Sequence, residues 1–359
     1  MNWRARLESA LTSAWTRRGA LAWALLPASW LYAAGHALHG GLYRSGVLRS
    51  WRVGLPVVVV GNLYAGGTGK TPLVIELARL LKERGWRPGV ISRGYGRSTS
   101  AVRPVEAGAS AGEVGDEPLL IAQAAAVPVV VGADRVAAAR VLQSLNPRCN
   151  VIICDDGLQH PRLARDVEIA VLHFRGIGNG WLLPAGPLRD RPARLSRTDA
   201  VVLNGDVPPL RIDGQVFAMT AELDEVYSLA DPGRRAPLAV LVQEQRRAGT
   251  RIVAAAGIAC PERFFGMLRA AGLAIDEVAL PDHHDFAVNP FFGREYDVAL
   301  VTEKDAVKCR ASAAMKNDGR LCAVGLCTRV DAALVDLIEA RIKPKSPTDE
   351  PATDGPSPA

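Results

Sequence analysis

The 359-residue chain has little that would staple a small domain or string out a fibre. Its six cysteines, at 149, 154, 260, 309, 322 and 327, include no C-x-x-C pair. That spacing excludes a thioredoxin-like dithiol and the common zinc modules, and it suits a reducing compartment. No basic excess exists past residue 52: seven arginines and one acid, Glu8, lie in residues 1–52 and account for the whole formal charge of +6. A nucleic-acid binder carries its charge on the folded body, so no nucleic-acid partner is expected. Residues 19–43 lack Asp, Glu, Lys and Arg altogether, yet Pro27, Gly35, His36, His39, Gly40 and Gly41 interrupt this apolar stretch. It makes a poor spanning helix, and with basic residues on both sides and no small-residue cleavage site it makes a poor signal peptide. Aromatics are only 6% of the chain, but five of the seven tryptophans fall at 3, 15, 23, 30 and 51. Tryptophan and arginine together favour the membrane–water interface, so residues 1–52 are expected to lie on a membrane surface; the competing reading is an apolar helical hairpin packed on the protein's own body.

What remains is ordinary globular composition, 48% hydrophobic and 22% charged. Short apolar runs alternate with helical stretches: strand 56–62, helix 70–84, strand 88–92, helix 115–126, strand 127–131, helix 134–142, and strands 151–154, 168–174 and 199–204. This pattern predicts an α/β core over 53–205, a doubly wound, mostly parallel sheet with helices on both faces. Apolar runs thin out over 206–250, and strand–turn–helix signals return over 251–273, a strand followed by a loop over 297–308, and a strand and helix over 321–342. A smaller second α/β domain is therefore expected over 206–342. Residues 343–359, rich in Pro, Ser and Asp, read as a disordered tail.

The strongest local signal is VVVVGNLYAGGTGKTP (57–72). A buried strand runs into glycines 61, 66, 67 and 69, and a helix follows. Such a loop turns its N–H groups, including those of Gly66, Gly67, Thr68 and Gly69, toward one anion at the helix's positive end. Lys70 supplies a point charge for phosphates and the Thr71 hydroxyl a ligand for Mg2+. Tyr64 stands where the strict P-loop pattern has its first glycine, and Ala65 where the deviant variant has lysine.

Two carboxylates, Asp155 and Asp156, follow the buried strand 151–154, at the sheet edge where ligands sit. Side by side they repel unless a cation lies between them, which points to Mg2+. Gln159 and His160 come next and either orient a ligand or serve the turn. Asp116 and Glu117 open a helix, where acids also serve as ordinary capping residues. Arg93 and Tyr95 follow a strand end, and Arg189 closes the Gly/Pro-rich loop 178–190. All three are candidates for an anionic or sugar substrate. In PDHHDF (281–286) the two histidines allow zinc, a His–Asp relay or a polar turn.

Taken in order, GNxxxGGTGKTP, SRGYGR, GDEP, DDGLQH, LLPAGPLR, DHHxF and TEKDAVK resemble the tetraacyldisaccharide 4'-kinases of lipid A biosynthesis over about residues 20–340. The resemblance implies a P-loop kinase that uses ATP and Mg2+ to phosphorylate the 4'-hydroxyl of a tetraacylated glucosamine disaccharide 1-phosphate. It implies attachment to the cytoplasmic face of the inner membrane, with no obligate protein partner. It also implies roles: Lys70 and Thr71 on phosphates and metal, Asp155, Asp156 and Glu117 near the metal, and Asp116 accepting the hydroxyl proton in a dyad with His283. Two other readings of the phosphate loop are a P-loop enzyme acting on a small soluble substrate and a membrane-bound nucleotide switch.

Overall fold

The computed structural model describes residues 12–231, 233–312 and 315–343. The first tryptophan and the proposed tail from 344 onward lie outside these. The strands are β1 (Val57–Gly61), β2 (Pro88–Ser92), β3 (Arg103–Pro104), β4 (Val129–Val131), β5 (Val151–Asp155), β6 (Val167–His173), β7 (Ala200–Asn204), β8 (Val216–Ser228), β9 (Arg235–Pro237), β10 (Ile252–Ala256), β11 (Asp276–Ala279), β12 (Val298–Thr302) and β13 (Leu321–Val330). The helices are α1 (Ala20–Ala24), α2 (Leu26–Arg44), α3 (Lys70–Glu83), α4 (Ala111–Val114), α5 (Asp116–Ala125), α6 (Arg135–Leu145), α7 (Leu238–Ala248), α8 (Pro261–Ala270), α9 (Glu303–Cys309) and α10 (Ala332–Ile342).

All strands belong to one sheet, in the order β11-β10-β12-β13-β8-β7-β6-β1-β5-β2-β4-β3, with β9 beside β8. Pairing is parallel except at β3–β4, β8–β9 and β8–β13. The central strands are apolar throughout because both of their faces are covered. In β1, Val58 and Val60 point to the layer of α3, α5 and α10, while Val57 and Val59 point to the layer of α6.

The long strand β8 joins the halves. Its start runs parallel to β7 and its remainder antiparallel to β13. After Val216–Met219, polar and apolar residues are interspersed over Thr220–Ser228, which is why apolar runs are sparse over 206–250. The last helix, α10, returns to the first half, burying Leu334, Val335, Ile338 and Ile342 in that core. Each such side chain contributes roughly 1.5–3 kcal/mol. Residues 303–309, expected as loop, form α9. Thr302 caps it by accepting from the Asp305 N–H at 3.2 Å.

The N-terminal helices use one face on the body. Trp15 Nε1 donates to the Pro184 carbonyl (2.9 Å), Ser29 Oγ to that of Leu182 (3.0 Å) and Tyr32 Oη to that of Arg189 (2.8 Å). Trp23 packs edge-on to Trp181. Elsewhere on these helices Trp30 and Leu31 remain 65% and 76% exposed. Among the described residues no helix is long and apolar enough to cross a membrane.

Candidate active site

The glycine-rich loop is held from beneath by Asn62, which the sheet edge buries completely. Its amide donates to the carbonyls of Tyr64 (2.6 Å) and Gly66 (3.2 Å) and to the Thr68 hydroxyl (3.0 Å). From the end of β7, Asn204 donates to the Thr68 carbonyl (3.0 Å) and accepts from Arg263 (3.1 Å). Gly69 has φ +93°, and a Cβ there would lie 2.1 Å from Asn204 Nδ2, so only glycine fits. Tyr64, at the departure from the strict motif, is buried against the His173 ring (4.9 Å). The loop delivers Lys70 as the first residue of the 14-residue α3. The glycine-rich loop thus lies at the positive end of α3, where the helix dipole and free backbone N–H groups favour a phosphate.

The acids at the end of β5 behave differently from one another. Asp155 is buried, with Oδ2 accepting from Ser92 Oγ (2.9 Å) and Oδ1 without a hydrogen-bond partner. Burial, then the negative charges of Glu117 and Asp156, pushes its carboxyl up to about 7. Asp156 has φ +50° and turns toward cations. Arg189 Nη1 lies 3.0 Å from both of its oxygens and Lys70 Nζ 3.5 Å from Oδ1. Burial opposes its charge, but Lys70 and Arg189 outweigh burial and hold it below the usual carboxylate range.

Asp116 is not a cap. The N-cap of α5 is Gly115, and Asp116 turns Oδ2 toward the second half, 2.9 Å from His283 Nδ1, 2.9 Å from Lys308 Nζ and 3.9 Å from Lys304 Nζ. Oδ1 accepts only the adjoining Glu117 N–H. Burial alone would raise this carboxyl, but the His283 hydrogen bond and the two lysine charges hold it far below its ordinary value. The His283 imidazole is in turn raised, chiefly by its hydrogen bond to Asp116. His283, at φ +59°, is fixed through its backbone: its N–H donates to the Gly257 carbonyl (3.1 Å), and the Gly257 N–H donates to buried Asp305 (3.0 Å). Glu117 accepts from Lys304 at 3.1 Å.

The Gly-rich loop, Glu117, Asp155, Asp156 and His283 line one cavity of about 1580 Å³, and Asp116 sits one hydrogen bond behind His283. Arg93, Tyr95, Gln159, His160 and Arg189 line it too. Tyr95 is exposed, its ring 5.4 Å from that of His283. Gln159 braces the phosphate loop by donating to the Asn62 carbonyl (3.0 Å). Burial, with Arg135 and Arg165 nearby, lowers the His160 imidazole to about 4, so it is neutral at physiological pH. Arg189, expected to contact substrate, lines the cavity and is paired there with Asp156. The two histidines of 281–286 diverge: His284 packs on Phe286, and among the described residues no group of three or more His, Cys, Asp or Glu is placed to hold a metal. That geometry removes the zinc reading. All six cysteines are free. The sequence assigns no role to Lys304 and Lys308: their i, i+4 spacing brings them to one face only when 303–309 forms a helix, and a loop is the expectation there.

The model of the LpxK family, tetraacyldisaccharide-1-P 4'-kinase, matches residues 21–343. The chain belongs to this family. The tetraacyldisaccharide 4'-kinase of Janthinobacterium sp. (strain Marseille) is 48% identical over 348 residues, covering 96% of this chain and 98% of that protein. That of Methylibium petroleiphilum is 51% identical over 308 residues, 85% of each. Among solved structures, LpxK from Aquifex aeolicus in complex with ATP superposes with a TM-score of 0.75 at 29% identity, covering 90% of this chain and 99% of that one. Family membership agrees with the motif resemblance over nearly the same residues.

Proposed function

We infer that this protein is an ATP-dependent kinase that moves the γ-phosphoryl group to the 4'-hydroxyl of a tetraacyldisaccharide 1-phosphate in lipid A biosynthesis. One observation carries the reading: the phosphate loop at the head of α3 and His283, backed by Asp116, share a single cavity, so donor and acceptor chemistry meet there. In the reaction the sugar oxygen bonds to the γ-phosphorus as the bond to the ADP oxygen breaks, and the hydroxyl proton passes to the Asp116–His283 pair. Such transfer depends mostly on positioning and charge neutralisation. The N–H groups of Gly66, Gly67, Thr68 and Gly69 would hold the donor phosphates, and Lys70 would follow the migrating charge, exchanging Asp156 for phosphate oxygens.

The donor set suits Mg2+, which takes hard oxygen ligands and usually only one or two carboxylates beside phosphates and waters. Asp155 offers an unpartnered buried oxygen, and Asp156, Glu117 and the Thr71 hydroxyl lie around the same cavity. Mg2+ bound there would neutralise charge on the phosphates. Arg93 and Tyr95, at the mouth, are placed for the sugar or its phosphate.

A tetraacylated acceptor is anchored in a bilayer, whereas ATP is in water. The exposed Trp23, Trp30 and Leu31 on helices tied to the 178–190 loop support docking of this end on the membrane surface. We assign that surface to the cytoplasmic face of the inner membrane, where ATP is available. The test is label transfer from γ-labelled ATP with Mg2+ to a tetraacyldisaccharide 1-phosphate in mixed micelles, with a water-soluble sugar as control. Label confined to the lipid supports the assignment; bound ATP with no label in the lipid refutes it.

A further inference from the structure

The second half sends two lysines into the acids of the first. Lys304 and Lys308 stand one helical turn apart on α9, so both ammonium groups leave the same face. Lys304 Nζ lies 3.1 Å from Glu117, 3.8 Å from Asp282 and 3.9 Å from Asp116. Lys308 Nζ lies 2.9 Å from Asp116 Oδ2, with its side chain only 10% exposed. Lys304 lines the cavity, and Lys308 does not. The group that the Lys308 ammonium faces is Asp116.

We propose that Lys308 is a positioning residue for phosphoryl transfer, with Lys304 as its partner in a clamp that fixes Asp116 as the hydrogen-bond acceptor of His283. The inference rests on the kinase reading above. Its logic is that of an oriented imidazole. Asp116 Oδ2 shares a hydrogen bond with His283 Nδ1 at 2.9 Å and lies 2.9 Å from the Lys308 ammonium in an ion pair without hydrogen-bond geometry, and a carboxylate in that position can only accept. His283 must then present its proton on Nδ1, which leaves the lone pair on Nε2, 3.9 Å from Asp282 Oδ1, to take the sugar hydroxyl proton, so that Asp116 acts through the imidazole rather than as the first acceptor that the motif resemblance implies. Remove the Lys308 charge and the buried carboxylate keeps only His283 beside Oδ2 at close range and the Glu117 N–H on Oδ1. It can then rotate, and the imidazole loses its fixed partner and tautomer. The clamp also spans the two halves, since Asp116 and Glu117 open α5 while both lysines and Asp282 come from the other side of β8. The dyad is therefore complete only when the halves are drawn together.

The experiment is a double-mutant cycle on the full-length enzyme in mixed micelles, comparing wild type, Lys308→Met, Asp116→Asn and the double variant, with Lys308→Arg and Lys304→Met alongside. The expected result is a fall in kcat of about 10²-fold for Lys308→Met, the size typical of a lost general-base arrangement. KM for ATP stays within about twofold, Lys308→Arg recovers part of the loss, and Lys308→Met costs nothing further once Asp116 is Asn. The thermal midpoint gives a readout that needs no turnover. Lys308→Met alone leaves Asp116 buried with less compensation and melts early, whereas the double variant regains the loss because both charges have gone. Equal fold losses of kcat in the wild-type and Asp116→Asn backgrounds would overturn the proposal. So would ATP affinity falling in step with kcat, or a double variant no more stable than Lys308→Met. If wild type phosphorylates no lipid acceptor, the kinase reading fails while the melting cycle still decides the clamp.

Discussion

Replacing Asp155 with asparagine should make the ligand-free protein more stable while removing its response to Mg2+ and ATP. Asp155 is 1% exposed, and its Oδ1 has no hydrogen-bond partner. Burial and the neighbouring Glu117 and Asp156 charges raise its carboxyl from an ordinary 3.8 to about 7. At about 1.4 kcal/mol per unit, a displacement of roughly three units sets a ceiling on the order of 4 kcal/mol for keeping this charge in the folded state. Sharing of charge among the three acids brings the expected figure to about 2–4 kcal/mol. Because the folded value is raised, the folded state binds more protons than the unfolded one between about pH 4 and 7, so stability falls as pH rises through that window. Above about pH 7 both states are ionised and the full penalty is present; below about pH 4 both are neutral and it vanishes. Asparagine keeps the shape and can still accept from Ser92, yet carries no charge. The midpoint of Asp155→Asn should therefore exceed that of wild type by roughly 3–6 °C at pH 8, the gap closing toward pH 4. Saturating Mg2+ and ATP should then raise wild type by several degrees and the variant little, because only wild type gains the bound cation. Scanning calorimetry from pH 4 to 8, with and without ligand, tests this. A variant less stable than wild type at pH 8, or a gap that ignores pH, would refute the reasoning.

Three further outcomes are expected. His283→Ala and Asp116→Ala should each lower kcat by roughly 10²–10⁴-fold with ATP affinity, read by titration calorimetry, within about twofold; equal loss of affinity would make them phosphate or metal ligands. Gly69→Ala places a methyl group on Asn204 at a left-handed backbone angle, so ATP affinity should drop at least about tenfold with the fold intact by circular dichroism. Trp30→Ser combined with Leu31→Ser should weaken binding to anionic vesicles while moving the thermal midpoint by no more than about 2 °C, since both side chains are exposed; unchanged sedimentation with vesicles would place the docking surface elsewhere.

Much of the first half could be read before any coordinates. Strands buried on both faces are continuous apolar runs, and β1, β2 and β5 fall within a residue of their predicted bounds. The phosphate loop was legible because its chemistry is local: a strand, glycines, Lys70 and Thr71 in consecutive positions. The pairing of Asp116 with His283 came through motif resemblance, since nothing in the spacing of two residues 167 apart requires a 2.9 Å contact. The joining of both halves into one sheet was hidden in β8, whose half-exposed alternation resembles a polar segment.

The sequence by itself determined the elements with short-range logic: the parallel core, the nucleotide loop, the paired acids after β5 and a basic, tryptophan-rich N-terminus. Tertiary structure alone decided which charges meet. It turned Asp116 from a cap into a histidine partner, engaged Arg189 with Asp156, laid α10 back on the first half and brought Lys304 and Lys308 onto Asp116 and Glu117. The physical reason is that backbone periodicity is written in neighbouring residues, whereas the state of a buried charge depends on every group that long-range packing sets within a few ångströms of it.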